Sequence, residues 1–275
     1  MTAIRAIVLD LDFTLLTRQK IVRPETEAAL LRAHEIGFQL IIATSRPIRA
    51  VRSFVSEALL ERCTLITLNG AVVHEFTRGH QWQMSCMGLG ARRLIKSLRE
   101  SSQGIQITAE CWGEEFATNR EYTPESLRAK QHADPSMVKP LERIDYGWIS
   151  KITADGQGVP LDFLQEWADD YPEFNFISAL ENTVCNIVPK AIDKSTTVVT
   201  VLQRLGIHPS EMLVFADEMP DLRLMEMAGV SVAMGNAVEP LKEAANTVIG
   251  DCDTDAIADY LEKYLLNGET TRQSA

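Results

Sequence analysis

Two aspartates end the first apolar run of the chain, and other polar residues follow later runs in the same way. Asp10 and Asp12 come directly after the aliphatic run at residues 4–9. Residues just past a strand-like run, or at the start of a helix-like one, are Thr44, Lys194, Asp217 and Asp221. In an open parallel sheet, ligands bind beyond the carboxyl ends of the strands, so these side chains can gather at one edge.

Four aspartates gathered at one edge would repel one another unless positive charge compensates them. Lys194 supplies one positive charge and a divalent cation would supply two. If Asp12 also keeps its proton, because neighbouring carboxylates raise its pKa, the pocket is close to neutral. Mg²⁺, a hard cation that prefers oxygen ligands, fits this set better than zinc. The sequence therefore predicts a magnesium site that can receive a phosphate dianion.

The composition narrows the class of protein. At 275 residues, 45% of them hydrophobic, the chain can bury a large core and is long enough for two domains. The net charge of −11 leaves no broad basic field, which argues against nucleic acid and anionic membranes as partners. No apolar run approaches the ~20 residues that span a bilayer, and the chain starts without a signal-peptide pattern. We expect a cytoplasmic protein.

The cysteines and histidines do not suggest chemistry of their own. The 5 cysteines are odd in number, widely spaced and without a Cys-x-x-Cys pair, which argues against a disulfide framework or a zinc cluster. The 5 histidines show no metal-ligand pairing at helical spacing. We expect free thiols that are mostly buried, and structural or surface histidines.

Strand and helix patterns alternate at both ends of the chain. Predicted strands are 4–9, 38–43, 64–68, 212–216 and 230–234, and predicted helices include one from Pro24 to Gly37, one from Pro47 to about Glu61, and 194–205, 221–228 and 238–245. This alternation predicts an α/β fold with a Rossmann-like parallel sheet flanked by helices.

The stretch between these halves is too long to be a loop in a compact domain. It contains an amphipathic helical pattern with Leu89, Leu94 and Leu98, and several extended runs. We therefore predict an inserted α/β cap domain at 83–189, and a catalytic core made of 1–82 and 190–275.

These motifs, in this order and around an insertion at this place, resemble the haloacid dehalogenase-like superfamily of phosphotransferases, in the Cof-like subgroup with a large α/β cap. The resemblance implies that Asp10 is the nucleophile that forms an aspartyl-phosphate. It implies that Asp12 is the general acid and base, that Thr44 holds the phosphoryl group, and that Lys194 steadies the nucleophile and the phosphate.

The resemblance also implies the remaining site residues. Asp217 and Asp221 match the metal-binding acids, completed by Asp10 and the backbone carbonyl of Asp12. Asn69 and Asn236 match asparagines near the phosphate. The substrate-binding residues implied in total are Thr44, Ser45, Asn69, Lys194 and Asn236.

Several positions depart from the commonest subgroup pattern. Phe13, Ser45 and Ala216 stand where glycine is usual, and Glu218 and Pro220 replace a glycine and an asparagine. Phe13 would be costly at a positive φ, and we expect an ordinary backbone there. Glu218 adds a carboxylate beside the metal site.

Taken one at a time, these residues have structural alternatives, such as helix-capping or first-turn aspartates and a solvated lysine. Together they favour a Mg²⁺-dependent phosphatase that acts on a small phosphorylated metabolite through phospho-Asp10. One alternative is a phosphomutase or phosphotransferase. Another is a non-catalytic sensor of a phosphorylated metabolite, silenced by Phe13, Glu218 and Pro220. The sequence leaves the substrate open, and it does not decide between a monomer and a homo-oligomer.

Overall fold

The computed structural model describes residues 3–101 and 104–266. Its strands, in chain order, are β1 Ala6–Asp10, β2 Gln39–Ala43, β3 Cys63–Thr67, β4 Val72–Glu75, β5 His80–Gln83, β6 Gln106–Cys111, β7 Glu115–Thr118, β8 Val138–Pro140, β9 Ile149–Asp155, β10 Phe174–Ala179, β11 Val184–Pro189, β12 Met212–Ala216, β13 Val230–Ala233 and β14 Thr247–Val248. Its α-helices are α1 Pro24–Glu35, α2 Ile48–Val51, α3 Glu57–Leu60, α4 Gly88–Glu100, α5 Pro124–Gln131, α6 Phe163–Glu166, α7 Lys194–Arg204, α8 Leu222–Met227, α9 Glu239–Ala244 and α10 Ala256–Leu261.

The first sheet has the order β14-β13-β12-β1-β2-β3-β4-β5 within the described residues. Strands β14 to β3 are parallel, whereas β4 and β5 continue the sheet as antiparallel strands. The middle strand β1 is buried along its whole length, because helices cover both faces of the sheet. The predicted α/β fold with a parallel core is confirmed, with β4 and β5 as an addition at one edge.

The second sheet has the order β10-β11-β9-β6-β7-β8 and is antiparallel except at its β7–β8 edge. Apolar and polar residues alternate along its strands. Ile107, Ala109 and Ile152 face a hydrophobic cluster with α4, whereas Thr108 and Thr153 face the opposite side and line a cavity. One face of this sheet is therefore apolar and covered, and the other is polar and directed toward the first sheet.

The two sheets occupy separate parts of the chain. Every strand from Gln106 to Pro189 belongs to the second sheet, and the strands on either side of that segment belong to the first. We propose that the sheets mark the two domains predicted at 1–82 with 190–275 and at 83–189. Residues 267–275 of that division lie outside the described residues.

Some local predictions are wrong. The single helix predicted from Pro47 to Glu61 is two short helices, α2 and α3, because Ser56 caps a new helix by accepting the amide of Leu59. Leu89 does not lie on the buried stripe of α4 but is 83% exposed. The buried residues of that helix are Ala91, Leu94, Ile95 and Leu98. Strands β7 and β8 and helix α5 were not predicted, since they are short and weakly patterned.

Within the described residues, no helix combines the length and the hydropathy that crossing a bilayer requires.

Candidate active site

Three adjacent parallel strands bring the predicted polar residues to one edge of the first sheet. Asp10 ends β1, Thr44 follows β2, and Asp217 follows β12, and these strands are neighbours in the order β12-β1-β2. The three side chains are buried despite their polarity, with residue exposures of 8%, 1% and 4%. Their burial indicates a site shielded from bulk water.

Lys194 joins two of the acids from the start of α7. Its Nζ donates to Asp10 Oδ1 at 2.5 Å and to Asp221 Oδ2 at 3.1 Å. Asp193 and Thr196 form a reciprocal capping box that fixes where the helix begins, and therefore where the lysine points. Burial disfavours the ammonium, but the charges of Asp10 and Asp221 raise the pKa of Lys194 above its ordinary value.

Asp217 and Asp221 are buried next to other acids. Thr14 Oγ1 donates to Asp217 Oδ1 at 2.7 Å. Burial, followed by the charge of Asp10, raises the pKa of Asp217 to about 8. Burial likewise raises the pKa of Asp221 to about 7, although Lys194 opposes the shift. Burial also raises the pKa of Asp10, again against Lys194. If all three were ionised, the acids would carry more negative charge than Lys194 alone balances, and they keep their protons to higher pH than free aspartates do.

Asp12 has a different environment from the one the sequence predicts. Arg46 donates to both of its carboxylate oxygens, from Nε at 2.6 Å and from Nη2 at 2.8 Å, and Lys20 Nζ donates at 2.6 Å. Burial raises the pKa of Asp12, but these two cations outweigh it, so the pKa lies below its ordinary value. The condition that Asp12 keeps its proton is therefore not met in this arrangement, because two cations neutralise its carboxylate instead.

The backbone at Phe13 also differs from the prediction. Phe13 has φ 57°, in the left-handed region, so the expected ordinary backbone is wrong. Asn236 holds this turn by donating from Nδ2 to the Phe13 carbonyl at 2.8 Å, while its Oδ1 accepts the amide of Cys252 at 2.9 Å. These bonds stabilise the strained turn.

Asn236 is therefore placed differently from the other predicted substrate contacts. Both ends of its amide bind backbone groups, and it lines neither of the cavities that adjoin Asp12. The structure does not bring this side chain into the group around Asp10. We propose that Asn236 supports the Asp12–Phe13 turn instead of contacting substrate.

Thr44 and Asn69 lie on neighbouring loops that are hydrogen-bonded to each other. The amide of Asn69 donates to the Thr44 carbonyl at 3.0 Å, and the amide of Arg46 donates to Thr44 Oγ1 at 3.1 Å. Gly70 has φ +102°, and a Cβ there would lie 2.4 Å from the Asp193 carbonyl oxygen. Only glycine permits this contact, which packs the Asn69 loop against the start of α7 and Lys194.

Within the described part of the chain, two cavities border Asp12. A small one of about 50 Å³ lies directly at the acids, and its lining includes Asp10, Asp12, Ser45, Asn69, Lys194 and Glu218. A larger one of about 500 Å³ continues from Asp12 and Ser45 across the polar face of the second sheet. That face contributes Gln106, Thr108, Glu110, Lys151, Thr153 and Asn186 to the lining. The volumes suit a phosphate group in the first cavity and the rest of a small metabolite in the second.

The oxygen atoms at the sheet edge suit a hard cation. One carboxylate oxygen of Asp10 binds Lys194 and one of Asp217 binds Thr14, so each carboxylate has a second oxygen beyond these contacts. All of the atoms that would bind the metal are oxygens, and Mg²⁺ prefers oxygen ligands. Because the ionised acids would together exceed the charge of Lys194, a divalent cation would also stabilise their ionised forms. The oxygen chemistry of the predicted magnesium ligands therefore suits the metal, although no three of their carboxylates have oxygens within 4.8 Å of one another in the described part of the chain.

A second, more tightly clustered acidic group lies elsewhere, but an arginine already binds it. Ligand atoms of Asp251, Cys252 and Asp253 lie within 4.8 Å of one another. Arg18 Nη1 binds both aspartates, at 2.6 and 2.5 Å, so an arginine already neutralises them. We attach no metal to this group.

The unusual residues between Asp217 and Asp221 are accommodated. Pro220 lies in the 3₁₀ turn Met219–Asp221 at a position where a proline is tolerated, and this turn leads Asp221 back to Lys194. Glu218 is exposed and lines both cavities. Partial burial, followed by the charge of Asp10, raises its pKa. The turn still delivers Asp221, so neither substitution displaces an acid of the site.

The sequence analysis missed several polar partners. Lys20, Thr14 and Lys151 were not singled out, because no motif marks them. The partners of Thr14 and Lys151 are also remote in the chain, whereas Lys20 lies 8 positions from Asp12. Lys151, from β9 of the second sheet, donates to the Ser45 carbonyl at 2.7 Å. Arg46 directly follows the Thr44–Ser45 pair, and that position could have marked it as part of the site.

Comparison with known proteins identifies the class. The family model of the haloacid dehalogenase-like hydrolases matches residues 7–261. The chain belongs to this family, as the motifs predicted. It is 28% identical to the pyridoxal phosphate phosphatase YbhA of Escherichia coli strain K12, over 95% of this chain and 99% of that protein.

Two further matches extend the comparison. The chain is 27% identical to the HMP-PP phosphatase of Serratia proteamaculans, over 95% of each chain. The crystal structure of a haloacid dehalogenase-like hydrolase from Bacteroides thetaiotaomicron superposes with a TM-score of 0.79 at 23% identity, covering 94% of this chain and 99% of that one. The match shows that the two proteins share their fold over 94% of this chain.

Proposed function

We propose that the protein is a Mg²⁺-dependent phosphatase that hydrolyses a small phosphorylated metabolite through a phospho-Asp10 intermediate. The observation that carries the proposal is the Lys194 Nζ contact of 2.5 Å to Asp10, in a buried site flanked by Thr44, Asp217 and Asp221. A carboxylate held by one ammonium and surrounded by oxygen ligands is oriented as a nucleophile.

In the first step, a carboxylate oxygen of Asp10 attacks phosphorus and the bond between phosphorus and the leaving oxygen breaks. Asp12 gives its proton to that oxygen. In the second step, Asp12 takes a proton from water, the water attacks the acyl phosphate, and inorganic phosphate leaves with Asp10 restored. Thr44 and Lys194 hold the phosphoryl oxygens through both steps.

The metal would be held by Asp10, Asp217, the Asp12 carbonyl and, less directly, Asp221. When bound, Mg²⁺ would neutralise charge on the phosphoryl oxygens. The protein's own contribution is to bury these acids, which keeps the pKa values of Asp217 and Asp221 high until a cation binds and displaces their protons.

Asp12 can act as an acid only if it holds a proton, and its two ion pairs oppose this. We propose that the phosphate group competes with Asp12 for Arg46 and Lys20. As those cations turn to the substrate, the pKa of Asp12 rises and the carboxyl can be protonated. Arg46, 26% exposed at the side chain, borders the larger cavity and has room to move.

We propose a class of substrate and not a particular compound. The names of the two relatives given above refer to different phosphorylated compounds, pyridoxal phosphate and HMP-PP. We propose a small phosphorylated metabolite whose leaving group lies against the polar face of the second sheet. The cytoplasmic location and the absence of nucleic-acid partners stay predictions.

The test is Mg²⁺-dependent release of phosphate from an aryl phosphate by wild type and by Asp10→Asn. We expect the variant to lose activity by several orders of magnitude, because it lacks the nucleophile, and EDTA to abolish wild-type turnover. Equal activity in the two proteins would refute the covalent step. Activity that survives EDTA would refute the metal requirement.

The same assay separates the alternatives. Transfer of the phosphoryl group to an added alcohol, in preference to water, would indicate a phosphotransferase. Tight retention of a phosphorylated metabolite without any hydrolysis, across a panel of esters, would indicate a sensor.

A further inference from the structure

Lys151 is a buried lysine on the cap strand β9 that faces the core. It is 5% exposed and lines the larger cavity. Its register partner on the neighbouring strand β6 is Glu110, the acid that would ordinarily neutralise it.

Glu110 already forms an ion pair with another cation. Arg49, on α2 of the core, donates to both Glu110 oxygens at 2.7 and 2.8 Å. The same guanidinium donates to the carbonyls of Gly113 at 3.0 Å and Gln131 at 2.9 Å. This fully formed fork leaves Lys151 beside a carboxylate whose charge is balanced.

Lys151 itself binds only neutral acceptors. Its Nζ donates to the Ser45 carbonyl at 2.7 Å and to Asn69 Oδ1 at 3.4 Å. Among residues 3–101 and 104–266, no carboxylate lies within ion-pair distance of this ammonium. A buried charge without a counter-ion is costly, so the arrangement indicates that an anion belongs there.

The two groups that accept hydrogen bonds from Lys151 indicate where that anion would bind. Ser45 and Asn69 also line the small cavity at Asp10, and an ammonium has three donors, of which two are used. We propose that Lys151 is a cap-supplied substrate-binding residue whose remaining donor binds an oxygen of the substrate's phosphate group. This inference rests on the proposed phosphatase function.

The charged surroundings support the assignment. Burial lowers the pKa of Lys151 to about 8, and of the charges that face it, Glu110 raises the pKa while Arg49 and Arg46 lower it. Asp12 also faces this region but is held by Arg46 and Lys20. The ammonium is present below pH 8 and lost above it, and a bound phosphate dianion would move that change to higher pH.

The test compares Lys151→Met with wild type in Mg²⁺, using 4-nitrophenyl phosphate as substrate and inorganic phosphate as a competitive inhibitor. We expect KM for the ester and Ki for phosphate each to rise about tenfold or more, which is the effect of losing one hydrogen bond to a charged group. Turnover at saturating substrate should fall much less. Methionine has a similar volume and removes a buried charge, so the fold should be kept.

The pH dependence gives a second readout. In wild type, Ki for phosphate should rise as the pH passes about 8, and in Lys151→Met it should not. Lys151→Arg keeps a charge that does not titrate in this range, so it should bind phosphate better than the methionine variant and also lack the change near pH 8. Lys96→Met removes the same charge from the outer helix of the cap, at a side chain 74% exposed, and should leave KM and Ki unchanged.

Wild-type KM, Ki and pH dependence in Lys151→Met would overturn the inference, as would a lowered melting temperature with no change in Ki. Failure of the phosphatase proposal is distinguishable, because it would appear as full activity in Asp10→Asn. In that event calorimetric titration with inorganic phosphate still tests Lys151, since weaker binding by Lys151→Met supports the anion site and equal binding excludes it.

Discussion

Replacement of Glu110 by alanine tests how the cap is held on the core. The Arg49–Glu110 pair joins α2 of the core to β6 of the cap, with side-chain exposures of 3% and 5%. The Glu110→Ala variant leaves two buried cations, Arg49 and Lys151, without the carboxylate between them.

The burial of the Arg49–Glu110 pair determines how much stability Glu110→Ala should lose. Removing one partner of a buried pair costs about 3–5 kcal/mol, because the other charge stays buried. We therefore expect the melting temperature to fall by roughly 10 °C, at about 2–4 °C per kcal/mol for a chain of this size. Arg49→Met should cost less than Glu110→Ala, since Glu110 can then pair with its cross-strand neighbour Lys151.

The matched control is Arg52→Ala, which removes another ion pair between the same two regions. Arg52 Nη1 lies 2.7 Å from Glu114 Oε1, but the side chains are 51% and 40% exposed. Such a pair contributes about 0–1 kcal/mol, so the melting temperature should barely change. Thermal and urea unfolding of the three variants beside wild type provide the comparison.

Two outcomes would refute the reasoning. Equal losses in Glu110→Ala and Arg52→Ala would mean that burial does not set the strength of the pair. A larger fall in melting temperature for Arg49→Met than for Glu110→Ala would mean that Lys151 does not pair with Glu110 when Arg49 is removed.

Three further predictions concern the site and the contact between cap and core. In Arg46→Ala the pKa of Asp12 should rise, because Arg46 holds it low, so carboxyl NMR should show Asp12 losing its charge at a higher pH as acid is added; an unchanged midpoint would contradict the pairing. Mg²⁺ binding at pH 7 should release protons, since the pKa of Asp217 is raised to about 8 and that of Asp221 to about 7, and the release should vanish near pH 9; calorimetry in buffers of different ionisation enthalpy measures it, and no release at pH 7 would count against these shifts. Gly113→Ala should destabilise more than Gly158→Ala, because both glycines have positive φ but only the Cβ at Gly113 meets another atom, the Ile48 amide nitrogen at 3.1 Å; equal unfolding free energies would show that this close contact is not tight.

The catalytic edge could be predicted from sequence because each of its residues follows a strongly patterned element. Asp10 comes after a fully buried strand and Lys194 starts an amphipathic helix, so the rule for open parallel sheets was enough to bring them together. The family resemblance added their roles, which the structure leaves as proposals.

The remaining parts depend on contacts between distant residues. The ionisation of Asp12 is decided by Lys20 and Arg46, and no periodicity predicts that both turn toward it. The positive φ of Phe13 is sustained by Asn236, 223 positions away. The position of Lys151 depends on a register between two cap strands, which a sequence of short extended runs does not specify.

Alternate residues along each strand of the second sheet face opposite sides of that sheet. Along β6, Ile107 and Ala109 anchor the apolar layer, whereas Gln106 and Thr108 border the space where a metabolite would lie. Exchanges among the latter would alter which compound is accepted at little cost in stability, because they contribute nothing to that layer. Substitutions at alternate positions of a few strands would therefore change which compound is accepted, while the residues proposed to transfer the phosphoryl group stay the same.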